Sequence, residues 1–181
     1  MRLKQDNAAG EFGSAIGKGL LAGLAGTAAM TLSQMIEMKI TKREPSDAPI
    51  KVVSQVADIK PTSEAEKTKV NNEIHWGYGT ALGVSRGIIS LTGLKGVPAT
   101  LLHFGLVWTA AMVMLPKFHA APPVTEESPK AIAIDALHHA VYAVAAGLAF
   151  EALNAGAKQE RKFDKLVRQL KLKGLISKLK Y

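Results

Sequence analysis

Four stretches of this chain, residues 15–36, 74–94, 97–116 and 131–153, approach the length of about 20 apolar residues with which a helix crosses a hydrocarbon core of about 30 Å. Such segments leave few folds open. Inside a bilayer every backbone N–H and C=O must be paired within the protein, and an α-helix does this segment by segment. The third stretch, from Val97 to Pro116, has one ionisable residue, His103. The first carries Lys18 near its start, where a long side chain can bring its ammonium to the interface. The second is the least apolar, with His75, Arg86 and several glycines. A signal peptide does not fit, since the first run continues into Met30 to Ile36 without a cleavage site.

With no Cys, the chain is excluded from zinc knuckles, iron–sulfur clusters, disulfide frameworks and cysteine nucleophiles. It is 48% hydrophobic but 6% aromatic with 16 Gly in 181 residues, a blend of small and aliphatic residues suited to close helix packing in lipid. The length allows one domain. A mean hydropathy of +0.10 keeps a water-soluble all-helical bundle as the rival fold, although the polar loop and tail lower that average.

The net charge of +8 is concentrated at one end. Residues 158–181 hold Lys158, Arg161, Lys162, Lys165, Arg168, Lys171, Lys173, Lys178 and Lys180 against Glu160 and Asp164. Phe163, Leu166, Val167 and Leu170 recur at helical spacing, and Leu172, Leu175, Ile176 and Leu179 resume after a phase slip near Lys171 to Gly174. This pattern predicts a basic amphipathic helix in two short pieces, separate from a membrane domain over residues 1–157. Arg161, Lys162, Lys165, Arg168 and Lys171 then face an anionic bilayer surface, each contributing roughly 1 kcal/mol; the bland alternative is a solvated helix end. Nucleic acid is not expected, because no aromatic platform accompanies the charge.

Internal similarity organises the apolar segments. Gly23-Leu24-Ala25-Gly26-Thr27-Ala28-Ala29-Met30 matches Gly105-Leu106-Val107-Trp108-Thr109-Ala110-Ala111-Met112 at six of eight positions. At a constant offset of 64, Asn71, His75, Tyr78, Ala81 and Gly83 correspond to Asp135, His139, Tyr142, Ala145 and Gly147. The expected fold is therefore all-α: a four-helix transmembrane bundle of two repeated helical hairpins, plus the basic C-terminal helix. Ser63 with Glu66 reads as a capping box, and Ser128-Pro129 as a cap and first turn. Residues 38–62 read as a polar connection with a short helix around Val52 to Ile59, and 117–127 as the matching loop.

Charge distribution pulls the other way. Four crossings put Arg2, Lys4, Lys95 and the nine tail residues on one side, twelve in all, against nine in the two long loops. Three crossings, with the second segment superficial, would put eighteen on the tail side and five opposite, a better fit to the positive-inside rule. The repeat favours four crossings with both termini cytoplasmic.

Helices in lipid associate through close backbone approach and hydrogen bonds, so Gly19 and Gly23, and the stripe Gly79, Gly83 and Gly87, are the expected contact faces. Polar residues at membrane depth are the candidates for chemistry. The repeat sets His75 and His139 at equal depth, a turn past Asn71 and Asp135, with Tyr78 and Tyr142 a turn below. Such a group can hold a haem, a quinone head group or an ion, with Asp135 orienting an imidazole; interhelical hydrogen bonding is the structural alternative. His138 points about 100° away from it, and His103 lies too far along the axis to join it. Arg86 is placed beside Glu151, which it can pair with, unless it snorkels to the surface. Glu37 and Lys39 read as interface anchors.

Gly83-Val84-Ser85-Arg86-Gly87 spells G-x-S-x-G, with Asp135 and His139 following in hydrolase order. The chemistry needs a strand–turn–helix elbow that this glycine-rich helical segment does not offer. Gly17-Lys18-Gly19 lacks the remaining residues of a P-loop.

The run Gly-x-x-Ala-Gly-x-x-Gly-Thr-Ala-Ala-Met, a Pro-containing loop, a His-x-x-Tyr-Gly helix and a Trp-bearing third helix resemble small polytopic bacterial inner-membrane proteins of the YagU type. The resemblance covers about residues 15–150, with the basic tail and charged first loop as departures. It implies residence in the bacterial inner membrane and brings no catalytic residues. The expected function is that of a non-enzymatic integral membrane protein without a cofactor, an accessory or anchoring subunit whose partners are the bilayer and other membrane subunits. The alternative is a redox or transport component binding haem, quinone or an ion at His75 and His139.

Overall fold

Polar punctuation sets the helix ends. The structure is a computed structural model that describes residues 2–57 and 59–178, with side chains for 8–57, 59–160 and 162–169. All regular structure among the described residues is helical: α1 (Arg2–Thr41), α2 (Ala48–Ala57), α3 (Glu64–Leu91), α4 (Gly96–Lys117) and α5 (Pro129–Lys178). Ser63, in extended backbone, caps α3 by accepting from the Glu66 N–H at 3.2 Å. The Glu66 carboxylate in turn accepts from the N–H and hydroxyl of Thr62, both at 2.7 Å, so the reciprocal bond falls one residue upstream of an ordinary capping box. Ser128 accepts from the Ala131 N–H at 3.1 Å ahead of α5.

Two expected boundaries move. The helix sought at Val52 to Ile59 starts earlier, at Ala48, because the Ser46 hydroxyl accepts from the Ala48 N–H at 3.2 Å and Pro49 suits a first turn. The tail is not a separate helix in two pieces: α5 runs unbroken through Lys171 to Gly174 as far as Lys178. Lys and Leu favour helix there, and one glycine costs only about 1 kcal/mol, so the slip in apolar phase does not end the helix.

Four long helices alternate in direction. Along α1, Ala15 lies against Gly87 of α3, Gly19 against Gly83, and Thr31 against His75, which makes the pair antiparallel. α5 runs antiparallel to α1 through Lys18–Asn154 and Ser33–His138, and antiparallel to α4 through Gly96–Glu151 and Trp108–Asp135. It is parallel to α3, through Gly79–Tyr142 and Arg86–Glu151. The α3–α4 turn passes through Gly93 at φ +89°, a left-handed conformation that glycine adopts without strain. α2 folds back on α3, where Asn71 donates to the Ser46 carbonyl and accepts from the Ile50 N–H, both at 3.0 Å.

The core is apolar but small, and many large apolar side chains lie outside it. Ala22, Val107, Tyr142, Ala146 and Phe150 form the core cluster, and Thr27, Arg86, His103 and His138 are buried with it. Leu21, Leu32, Ile36, Leu101, Val113, Leu137 and Leu148 instead point outward, with exposures from 55% to 69%. Three segments, Ala8–Thr41, Gly96–Lys117 and Pro129–Gln169, are long and apolar enough to cross a membrane by length and composition. α3, the second expected span, is not among them, because His75, Arg86 and the weakly hydropathic glycines, serines and Trp76, Tyr78 and Thr80 dilute its apolar residues.

Candidate functional site

The residues singled out for chemistry lie on α3 and α5 and reach neighbours that spacing alone did not name. His75 Nε2 lies 3.2 Å from the Thr31 hydroxyl of α1. His139 Nδ1 lies 2.9 Å from the Asp135 carbonyl and 3.4 Å from its carboxylate. The other carboxylate oxygen of Asp135 accepts from the Trp108 indole N–H at 2.9 Å, which joins α4 to α5. His75 and His139 are electrostatic neighbours, each with one ring nitrogen outside the described hydrogen bonds.

The two tyrosines separate. Tyr142 is 2% exposed and donates to the Gly79 carbonyl at 2.6 Å, whereas Tyr78 is on the surface, its hydroxyl 3.7 Å from Met114 sulfur. Among the described residues no three or more His, Asp or Glu side chains cluster as metal ligands would.

Nearer the other end of the bundle, two fully buried polar side chains meet. Arg86 donates to Glu151 at 2.7 Å, so the ion pair considered from sequence is present and Arg86 does not snorkel. The same Glu151 oxygen accepts from the Gly96 N–H at 3.2 Å, supplying the N-terminus of α4 with a partner it lacks from Lys95. The guanidinium lies 4.7 Å from the Phe150 ring centroid, while its Nε and Nη1 have no hydrogen-bond partner. His103 is 0% exposed, and neither ring nitrogen is hydrogen-bonded. The nearby Leu82 carbonyl lies outside bonding geometry and already accepts from Ser85 at 2.6 Å. Sequence reasoning set His103 aside; the signal that could have found it is its position as the sole ionisable residue of the third span.

At the loop end, His138 Nδ1 is 2.8 Å from the Ser33 hydroxyl and its Nε2 is 3.8 Å from Glu37, which also pairs with Arg43 at 2.8 Å. The G-x-S-x-G segment is helical, and Lys18 donates to Asn154 at 2.8 Å.

The glycine stripe is a backbone-to-backbone contact between α1 and α3. A Cβ on Gly19 would sit 2.7 Å from the Gly83 carbonyl oxygen, and one on Gly83 would overlap the backbone of Gly19 and Gly23. Gly87 meets the Ala15 backbone, Gly23 the Thr80 carbonyl, and Gly79 the Thr27 side chain. Gly26, which spacing did not single out, makes room for the Tyr142 ring. In the tail, Lys162, Lys165 and Arg168 are exposed along α5, with Phe163 and Leu166 exposed beside them. The side chains of Arg161 and Lys171 lie outside the described residues.

The features define an all-helical protein with three membrane-length helices and an interior in which an apolar cluster is joined by Thr27, Arg86, His103 and His138. No family model, curated protein or solved structure matches the chain.

Proposed function

We propose that this is a non-enzymatic, four-crossing integral membrane protein of the bacterial inner membrane, built from two repeated hairpins, with both termini cytoplasmic. It serves as an accessory or anchoring subunit of a larger membrane assembly, and its basic tail rests on the anionic cytoplasmic surface. The observation carrying this reading is the burial pattern: Arg86, His103 and His138 inside, and leucines such as Leu101 and Leu148 outside. Water would favour the reverse by roughly 25 cal/mol per Å² of apolar surface, whereas lipid tails do not distinguish an exposed leucine from a buried one. α3 supports the fourth crossing by following α1 from Gly87–Ala15 to His75–Thr31, about 18 Å along its own axis.

The absence of native cysteine makes topology directly measurable. Single cysteines at Ser54, Thr92, Ser128 and Gln159 are to be labelled with an impermeant thiol reagent in sealed inverted vesicles. Four crossings expose Thr92 and Gln159 and protect Ser54 and Ser128. Joint labelling of Ser54, Thr92 and Gln159 would establish three crossings, and recovery of the protein in a detergent-free supernatant would end the membrane reading. Mild solubilisation and native purification should bring down partner subunits; a lone polypeptide would refute the accessory role.

A second reading, a redox or transport component, is favoured by the neighbouring His75 and His139 with a ring nitrogen of each unengaged. A Soret band, or quinone in the lipid extract, would support it over the first.

A further inference from the structure

His103 and Arg86 are neighbours in the dry centre of the bundle, and between them four polar atoms have no hydrogen-bond partner. A buried polar group without a partner is costly, and a phenylalanine or leucine at position 103 would occupy comparable space without that cost. The helix that carries His103 is also the one least enclosed by its neighbours. Val97, Leu101, Leu102, Leu106 and Val113 of α4 are exposed, and a Cβ on Gly105 would meet nothing. An outward shift of α4, at the cost of its Gly96–Glu151 and Trp108–Asp135 hydrogen bonds, would admit water to the imidazole.

Titratable groups continue on both sides of this point. Toward one end stands Glu151, paired with Arg86 and 37% exposed at its side chain. Toward the other, the Tyr142 ring lies 5.6 Å from the His103 ring, followed by His75 with Thr31 and by His139 with Asp135. From Glu151 to Asp135 is sixteen residues of α5, about 24 Å of a core about 30 Å thick.

We infer that the interior is a proton pathway gated at His103, closed in this packing and opened when water reaches the ring. The inference rests on the membrane reading above. In the open state a hydronium on the Glu151 side protonates the free nitrogen of neutral His103, and the opposite ring nitrogen releases its proton to water on the Tyr142 side. The ring ends neutral in its other tautomer, and rotation of the imidazole about Cβ–Cγ in the water-filled open state returns it to the starting arrangement without carrying the proton back. Around His103 the charged groups are Arg86 of α3 and, paired with it, Glu151 of α5; Tyr142 is the titratable hydroxyl, and Lys18 of α1 is held on Asn154 toward the same end.

The test uses the full chain reconstituted into phosphatidylethanolamine–phosphatidylglycerol vesicles loaded with a pH-sensitive dye. Vesicles containing the protein should dissipate an imposed pH step roughly tenfold faster than protein-free ones, without added potassium permeability. His103→Phe should return the rate to the protein-free value while its melting temperature holds or rises; should that variant not insert, His103→Gln is read in the same way. Protein that floats with the vesicles but gives no faster dissipation, an equal potassium leak, or a His103→Phe rate matching the wild type would overturn the pathway alone. Protein that fails to float overturns the membrane reading and the pathway with it.

Discussion

The hydroxyl of Tyr142 on α5 donates to the backbone carbonyl of Gly79 on α3 at 2.6 Å, joining positions 63 apart in a chain where His75, Tyr78 and Gly83 recur in type at an offset of 64. Arg86 and Glu151, 65 apart, are joined in the same way near the other end. Residues equivalent in sequence therefore lie level in space, because α3 and α5 run parallel. Removing the hydroxyl in Tyr142→Phe should cost about 1 kcal/mol, the net worth of one buried hydrogen bond, with the ring still seated on Gly26. Detergent unfolding monitored by circular dichroism checks this, and an unchanged midpoint would show the bond to be energetically idle.

The α1–α3 contact predicts opposite outcomes for one chemical change. Gly83→Ala pushes a methyl into the backbone of Gly19 and Gly23, which cannot rotate away, and should destabilise by about 1–3 kcal/mol. Gly105→Ala meets open space and should be neutral or stabilising by up to about 1 kcal/mol through helix propensity. Equal melting shifts for the two variants would contradict this packing.

The Arg86–Glu151 pair should behave as a unit. Glu151→Ala strands a fully buried guanidinium and should be more damaging than Arg86→Met, which leaves a partly exposed carboxylate that water can reach. Adding Arg86→Met to Glu151→Ala should recover stability, with a coupling of at least about 1 kcal/mol in the double-mutant cycle. Additive effects would mean that the pair is not energetically coupled.

Acid should loosen the polar connection before the bundle. The Thr62 backbone N–H, and then its hydroxyl, hold the Glu66 carboxyl below the usual glutamate range. Lys51 beside Asp47 does the same for that carboxyl. For a carboxylate lowered on folding, the stabilisation is complete above its unfolded pKa and disappears as pH falls through the folded one. The protection of amides at the start of α3 against hydrogen exchange, corrected for the intrinsic pH dependence of exchange, should therefore fall below the ordinary carboxylate range in the wild type, while Glu66→Ala should already lack it at neutral pH and change little on acidification. A variant that matches the wild type at both pH values would remove Glu66 from the cap.

Helix existence was legible from apolar runs and caps, and their limits were less so. Val97 to Pro116 coincides with α4 almost to the residue because Lys95 and Lys117 bound an uninterrupted run. α5 ran past its apolar limit because helix propensity persists where hydrophobicity stops. Of the candidate site, the glycines at 19, 23, 79, 83 and 87 were readable as a close-approach face, but that they meet one another within one chain was not. Tyr78 and Tyr142 looked equivalent by the repeat and are not, because α1 covers Tyr142 through Gly26 and leaves Tyr78 outside.

Local chemistry was settled by the order of residues: which segments are helical, where Ser63 and Ser128 start them, and where the positive charge collects. These depend on neighbours a few positions away, which one-dimensional spacing records. Which polar groups find partners was decided only when four helices came together. His75 gained Thr31, Asp135 gained Trp108, and His103 gained none. A side chain's partners at the helix interface come from other helices, and their identity follows from crossing register, a property of the packed bundle that no single segment contains.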